Sequence, residues 1–323
     1  MRGHAEMDRQ LDAAEREGRC LHPTSESVRK ALLRRVKTGD IVSPRPGLFI
    51  RSALWRSLDA IDQVKHVVRG LARWHPDWVF GGVAAACMHD LWVDFSTARK
   101  ALHARMLVVC ATQGTYHNSR HIERKHHIHM NYVVIDGVRV TTLAQTAADC
   151  CAIMTFLDGK PIADSVMRKG VRAETIMECA AVNGMVNTNL RKTLKYANPY
   201  AENGGESRMG AAFIECGFML PQQQVEFVDP LTGRRFRVDY LWQTADGRLI
   251  VVELDGLVKY TDPEMMHGRT VGGIVDDERE RSEALVRAGV HTVIRVRMSD
   301  LADRAQLTRR LAQAGVPMMK TAA

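Results

Sequence analysis

The sequence predicts a mixed α/β chain of more than one domain, and three observations carry that prediction. At 323 residues the chain exceeds what one hydrophobic core usually organises. Helical and strand periodicities alternate along it, which excludes both an all-α and an all-β architecture. A run of helix breakers, Asn198-Pro199 and then Glu202-Asn203-Gly204-Gly205, interrupts the pattern and reads as a linker over 198–205.

Composition narrows the function classes. With 46% hydrophobic and 25% charged residues, most of the chain is expected to fold. Residues 1–24 open with MRGHAEMDRQLDAAEREGR, whose alternating charges read as a flexible leader carrying neither a secretory signal nor an anchor. No apolar run approaches the about 20 residues of a membrane span, so no membrane partner is expected. Seven cysteines without a CxxC pair read as reduced thiols in a cytoplasmic protein. A formal charge of +8 and a pI near 9.2 point to an anionic partner, nucleic acid before others. Solubility alone is the other account of that charge.

The first predicted domain spans 25–78. Ser25 or Ser27 caps a helix that carries Val28, Leu32, Leu33 and Val36 on one side, and Gly39 stops it. Ile41-Val42 then leads through Ser-Pro-Arg-Pro-Gly to Leu48-Phe49-Ile50, a strand, tight turn and strand. Seven basic residues in this stretch (Arg29, Lys30, Arg34, Arg35, Lys37, Arg45 and Arg51) accompany only Glu26 and Asp40. A basic helix beside a basic-tipped wing is how a winged helix grips phosphate, with Arg34, Arg35, Lys37 and Arg45 as the expected DNA contacts. A solvated helix face would account for the same charges.

The second predicted domain, 79–197, is α/β. WVFGGVAAACMHDLWV reads as a strand end entering an Ala-rich helix, and RMLVVCATQG as a buried strand. HNSRHIERKHHIHM then gathers His117, His121, His126, His127 and His129. Nothing there fixes a tetrahedral metal spacing, and an exposed basic strand or loop touching nucleic acid explains the same residues. From Pro161 to about Tyr196 the pattern is helical, with Ala163, Val166 and Met167 on one face and Gly170 as a stop.

The phrase RRVKTGDIVSPRPGLFI, followed in order by WVFGGVAAACMHDLWV, VTTLAQTAADCC and ADSVMRKG, resembles AbiEi-type antitoxins. The resemblance implies an N-terminal winged helix that binds DNA and an α/β middle domain of antitoxin type. It admits a cognate toxin as partner without identifying one.

The third predicted domain spans 206–315. Glu206-Ser207-Arg208 opens a helix carrying Met209, Ala212 and Phe213, ended by Gly217. An edge strand, QQQVEFVD, and a turn over 230–233 follow. Two strands, RRFRVDYLW and RLIVVELDG, are joined through Thr244-Ala245-Asp246-Gly247, a hairpin signal. Two-residue alternation puts Arg237, Asp239 and Leu241 on one face, and Val251, Glu253 and Asp255 on one face. Asp239 then falls within one residue of facing Glu253, and a small bulge would align them. Carboxylates held this close call for counter-cations or a hard divalent metal, so Asp239, Glu253 and Asp255 are the expected ligands of Mg²⁺ or Mn²⁺. Phosphodiester cleavage uses such an ion to neutralise phosphate charge and to acidify a water.

This arrangement resembles the PD-(D/E)xK superfamily, and within it the very-short-patch-repair nucleases. The resemblance implies a restriction-endonuclease-like fold in which Asp239 is the first acid, Glu253 the second and Glu206 the helix acid. It extends through DDERERSEALVRAGVHTVIRVRMSDL, with Glu278, Arg279, Arg281 and Glu283 on a helix, Gly289 at its end and a strand up to Arg297. The third motif position, usually Lys, holds Asp255; Lys259 or Arg281 would have to take over its role. A structural ion-pair network of the acids with Arg279 or Arg281 is the competing account. Two functions follow: a DNA-binding regulator of antitoxin type with a nuclease-like domain, or a metal-dependent DNA endonuclease acting through Glu206, Asp239, Glu253, Asp255 and Lys259. The missing lysine favours the regulator.

Overall fold

The computed structural model describes residues 2–111, 118–255 and 271–319, with side chains described from 5 onward and, in the last segment, from 279. It is mixed α/β, with thirteen α-helices and three sheets among the described residues. The chain divides into two compact units, Met1–Ala197 and Asn198–Ala323.

In the first unit, α1 (Arg2–Arg16) and α2 (Glu26–Thr38) precede the hairpin β1 (Ile41–Arg45) and β2 (Leu48–Arg51). Ser25 caps α2 by accepting the Val28 N–H, and Gly39 ends it at φ 86°, a left-handed conformation that glycine adopts without strain. The flexible leader expected over 1–24 is not what forms. Met7, Leu11 and Ala14 recur at helical spacing, so they line one face of α1 and are fully buried against Leu32, Ile41 and Phe49. Leu21 adds a two-way backbone bridge to Phe49.

Helices α3 (Ser52–Ser57) and α4 (Ala60–Trp74) lead to a five-stranded sheet of order β5-β4-β3-β7-β6. Its strands are β3 (Val79–Phe80), β4 (Met106–Cys110), β5 (Ile122–His126), β6 (Tyr132–Ile135) and β7 (Val138–Thr141). Helices α5 (Gly82–Met88) and α6 (Phe95–His103) sit between β3 and β4 in sequence. Four helices follow: α7 (Leu143–Ile153), α8 (Phe156–Arg168), α9 (Ala173–Val182) and α10 (Thr188–Tyr196). One apolar core runs from Leu48 and Ile50 of the hairpin through Val64, Val67 and Leu71 of α4 to Phe80, Val108 and Val140. The expected boundary between 25–78 and 79–197 therefore does not separate two cores.

The second unit opens with α11 (Gly204–Glu215), capped by Asn203. Ala201 is buried and Gly204-Gly205 belong to the helix, so the expected linker over 198–205 is largely part of this unit. Its sheet, order β11-β10-β9-β8, holds β8 (Gln222–Val228), β9 (Arg235–Gln243), β10 (Leu249–Leu254) and β11 (Val290–Val296). Neighbours are antiparallel except β10 and β11, which are parallel. A parallel pair needs a crossover, and α12 (Val271–Arg287) provides it, ended by Gly289. Both sheet faces are covered: Tyr240, Trp242 and Ile250 pack with Phe213 and with Leu307 and Leu311 of α13 (Arg304–Gln313), while Phe236, Val238 and Leu241 pack with Leu285 of α12.

Because Leu11 has no exposed surface, Leu11→Ala is expected to lower unfolding free energy by about 2–5 kcal/mol, the cost of a large-to-small change in a packed core. Urea denaturation measures it. An unchanged midpoint would return residues 1–24 to the status of a leader.

Candidate functional site

The acids of the second unit converge where its strand pairing lapses. β9 and β10 pair with Val252 against Tyr240, so one further step sets Glu253 against Asp239 without the expected bulge. The backbone ladder stops there, and Asp239 Oδ2 takes the Leu254 N–H instead at 2.8 Å. The irregularity lies on the other side, in β8. Gln224 has φ 55°, and its neighbours Gln223 and Val225 stay in register with Tyr240 and Val238.

Face alternation resets at the same place: Phe236 and Val238 share a cluster with Leu241, whereas Tyr240 packs with Trp242 on the opposite face. The simple alternation expected for Arg237, Asp239 and Leu241 is thus broken at Asp239. The twisted Gln224 turns its amide inward, donating to Glu206 Oε2 at 2.9 Å and reaching Asp239 Oδ1 at 3.5 Å. Glu206, 5% exposed near the start of α11, also accepts from the Glu202 N–H and from Asn203 Nδ2. Tyr240 anchors the helix by donating its hydroxyl to the Glu206 carbonyl at 2.6 Å.

Glu253 is the half of the group already matched by a cation. Arg281 of α12 donates to Glu253 Oε1 from Nε at 2.9 Å and from Nη2 at 2.5 Å, and Nη2 also reaches the Arg237 carbonyl. Arg279 pairs instead with Glu283 on its own helix. Asp255 is half-buried and hydrogen-bonds through its N–H to the Val296 carbonyl. Among the described residues no group of three or more His, Cys, Asp or Glu side chains is placed to hold a metal ion, so Asp239, Glu253 and Asp255 do not stand as a ready-made cation cage. Lys259 lies outside the described residues.

Burial pushes the Glu206 carboxyl above the usual carboxylate range, the Asp239 charge adds to that, and its hydrogen bonds oppose it. Burial likewise raises Asp239; the Leu254 N–H pulls back, and Glu253 pushes further up. Raised pKa values mean that the ionised forms are the costly ones.

The basic residues of the first unit divide. Lys30, Arg34 and Lys37 are exposed on α2. Arg35 is half-exposed and reaches Asp8 of α1 at 3.2 Å. Arg45 corrects the expectation of a DNA contact: it is 3% exposed, and its guanidinium donates to the carbonyls of Ala101, Ala104 and His121 at 2.7–2.9 Å. A side chain so enclosed cannot reach phosphate. In the histidine-rich window His127 is buried and His129 exposed, while His117 lies outside the described residues. The sequence pattern also gave no sign of a run of stacked rings, His22, Trp74, His75 and Trp78, with centroids 3.8–4.5 Å apart.

No protein-family model, no curated protein and no solved structure matches the chain. No helix among the described residues is long and apolar enough to cross a membrane.

A group whose folded pKa is raised carries its cost above that pKa and sheds it as pH falls through it. Asp239→Asn, which keeps an oxygen for the Leu254 N–H, is therefore expected to raise the thermal midpoint at pH 7. The gain should shrink as pH is lowered toward the ordinary carboxylate range. A lower midpoint at pH 7 would instead make the Asp239 charge a needed counter-ion to Arg281.

Proposed function

We propose that this chain is a DNA-binding regulatory protein of the AbiEi antitoxin type whose C-terminal unit is restriction-endonuclease-like. The observation that carries the DNA-binding part is the exposed basic face of α2 beside a two-stranded wing, where Lys30, Arg34 and Lys37 have no carboxylate partner among the described residues. Free cations on one helix face release counterions when phosphate replaces them, which is the main source of affinity for duplex DNA. The order of helix acid, two strand acids and helix arginine in the second unit supports the nuclease-like reading of its fold. Glu253 tied to Arg281, and Asp255 where a lysine is usual, favour binding over cutting.

One observation favours the second reading, a metal-dependent DNA endonuclease: buried Glu206 and half-buried Asp239 are both raised and joined through a single amide, and perturbed carboxylates at such density mark functional sites. Asp239 and Glu253 would hold Mg²⁺ or Mn²⁺, with Asp255 beside them. The ion when bound would neutralise phosphate charge and lower the pKa of a water. Glu206 and Gln224 would orient Asp239. A cognate toxin remains part of the antitoxin reading only.

The test is binding of the purified chain to duplex DNA, including its own upstream DNA, over a range of salt. Arg34→Ala with Lys37→Ala should weaken binding and reduce the slope of log K against log salt by about 0.9 for each phosphate no longer neutralised. An unaltered slope would leave this face merely solvated. Incubation of plasmid with Mg²⁺ or Mn²⁺, with and without chelator, decides between the readings. Cleavage abolished by both Asp239→Asn and Glu253→Gln would establish the endonuclease.

A further inference from the structure

The five-stranded sheet of the first unit has two edge strands, and only one of them is guarded by charge. At β5 the residues are Ile122, Glu123, Arg124, Lys125 and His126, and charges of this density keep a strand edge from pairing with another chain. At β6 they are Tyr132, Val133, Val134 and Ile135, with neither charge nor proline. Tyr132, Val133 and Val134 are 41%, 40% and 60% exposed. The hairpin to β7 sets which backbone groups face outward. Asp136 and Gly137 turn it at φ 49° and 75°, the two-residue turn that brings Ile135 and Val138 into mutual hydrogen bonding. Alternation then pairs Val133 with Val140 in the same way. It leaves the N–H and C=O of Tyr132 and Val134 on the outer edge, where no backbone partner meets them among the described residues.

The side chains stop short at the same edge. Val108, Phe80, Val140 and Val133 form one lateral row across β4, β3, β7 and β6, buried at the first three and broken off at exposed Val133. The charges beside the edge are already matched within the chain. Asp136 pairs with Arg69 at 2.6 Å and Arg139 with Asp77 at 3.4 Å, while the Arg139 guanidinium also lies over the Tyr132 ring. The complement of such an edge is a neutral, apolar strand, because a charged one would face valines and find no counter-charge. The chain carries that strand in β6 itself.

We propose that β6 is a dimer interface, pairing antiparallel with β6 of a second copy of this chain about a two-fold axis at Val133. In that register Tyr132 lies opposite Val134 of the second copy and exchanges both backbone hydrogen bonds with it, so the outward groups of both residues are met. Val133 faces its own counterpart, and the apolar row continues into the same row of the second copy. On the opposite face Tyr132 packs beside Val134 across the axis. Arg139 does not oppose the pairing: its two copies lie across three strand spacings, at least roughly 14 Å, which exceeds the screening length of about 10 Å at 0.1 M salt. Joining β6 to β5 of another copy would set Glu123, Arg124 and Lys125 against apolar residues and propagate as a fibre, whereas the two-fold arrangement closes. Strands of four residues bury less than the about 1,200 Å² of a standard interface, so the dimer is weak, with a dissociation constant on the order of 10–100 µM.

Analytical ultracentrifugation of the full chain without DNA, over concentrations up to about ten times that constant, should show reversible dimerisation. Val133→Lys and Val133→Glu should each sediment as a monomer where the parent is dimeric, with unchanged circular dichroism, and their mixture should recover the dimer because opposite charges then face one another. Cysteine substitution reads the register directly under mild oxidation with diamide, the parent serving as control for its own cysteines. Val133→Cys should cross-link alone, since it meets itself in a non-hydrogen-bonded pair with Cα atoms about 4.5 Å apart, within disulfide reach. Tyr132→Cys and Val134→Cys should cross-link when mixed and not singly, and this pattern decides the matter if the charged variants do not fold. The proposal is overturned if the parent stays monomeric throughout, if Val133→Lys dimerises as the parent does, or if the three cysteine variants cross-link equally well alone.

Discussion

The guanidinium of Arg45 is the interaction on which the first unit turns. A charge this enclosed is held through its two Nη groups, which meet three carbonyls while Nε has no partner among the described residues, and burial does press Arg45 below its ordinary range, though a guanidinium stays protonated. Two of its acceptors, Ala101 and Ala104, come from the last turn of α6, where carbonyls lack partners and the helix dipole is negative. The third, His121, lies just ahead of β5. One side chain at the tip of the hairpin therefore stitches β1 to a helix end and to the edge strand of the sheet. Lysine could not do this from one position, since it offers a point charge and not a planar fork. The helix α2 packs on the same hairpin, with Leu32 in one core cluster with Ile41 and Phe49.

The second unit shows both fates of a buried carboxylate. Asp229 is 1% exposed, yet Arg287 meets both of its oxygens at 2.8–3.0 Å, Thr232 and the Leu231 N–H add to them, and the group is held far below the usual carboxylate range. Asp229 is a structural ion pair. Glu206 is buried and Asp239 half-buried, and neither has such a counter-ion; they share one neutral amide and are pushed upward. Stability alone would replace them, since a close pair of poorly compensated acids subtracts from it. That contrast is why the acidic group, and not Asp229, carries the functional reading.

How much of this was legible depends on where the information resides. The helix α2 was readable because Ser25 and Gly39 punctuate it, and the near-opposition of Asp239 and Glu253 because a recognisable turn sets the hairpin register. Gln224 was not. Its φ of 55° carries no sequence signal, since the residues that usually mark such a backbone are Gly, Asn and Asp. The charges of the first nineteen residues concealed the apolar spacing of Met7, Leu11 and Ala14, a pattern that was present but outvoted. Arg45 failed for a different reason: a basic wing tip looks the same in sequence whether it faces solvent or three carbonyls 56 to 76 residues away. His127 was likewise lost among neighbours of the same type, although it alone of the described histidines in its window is buried against a carboxylate.

The Glu253–Arg281 pair sets the terms on which the two readings of the acidic site differ. Arg281 keeps 31% of its side-chain surface and Glu253 15%, so water screens the attraction. Pairs of intermediate exposure contribute little, on the order of 0.2–1 kcal/mol, and here both donors meet the single oxygen Oε1. The interaction is strong enough to neutralise Glu253 in the absence of other cations, which suits a module that binds without cutting. It is also weak enough that a doubly charged ion beside Asp239, relieving two raised carboxylates at once, would outcompete it. On the endonuclease reading a cation and Arg281 would contend for one oxygen, and the acid that would gain most from the exchange is Asp239, whose own cost the guanidinium only partly offsets.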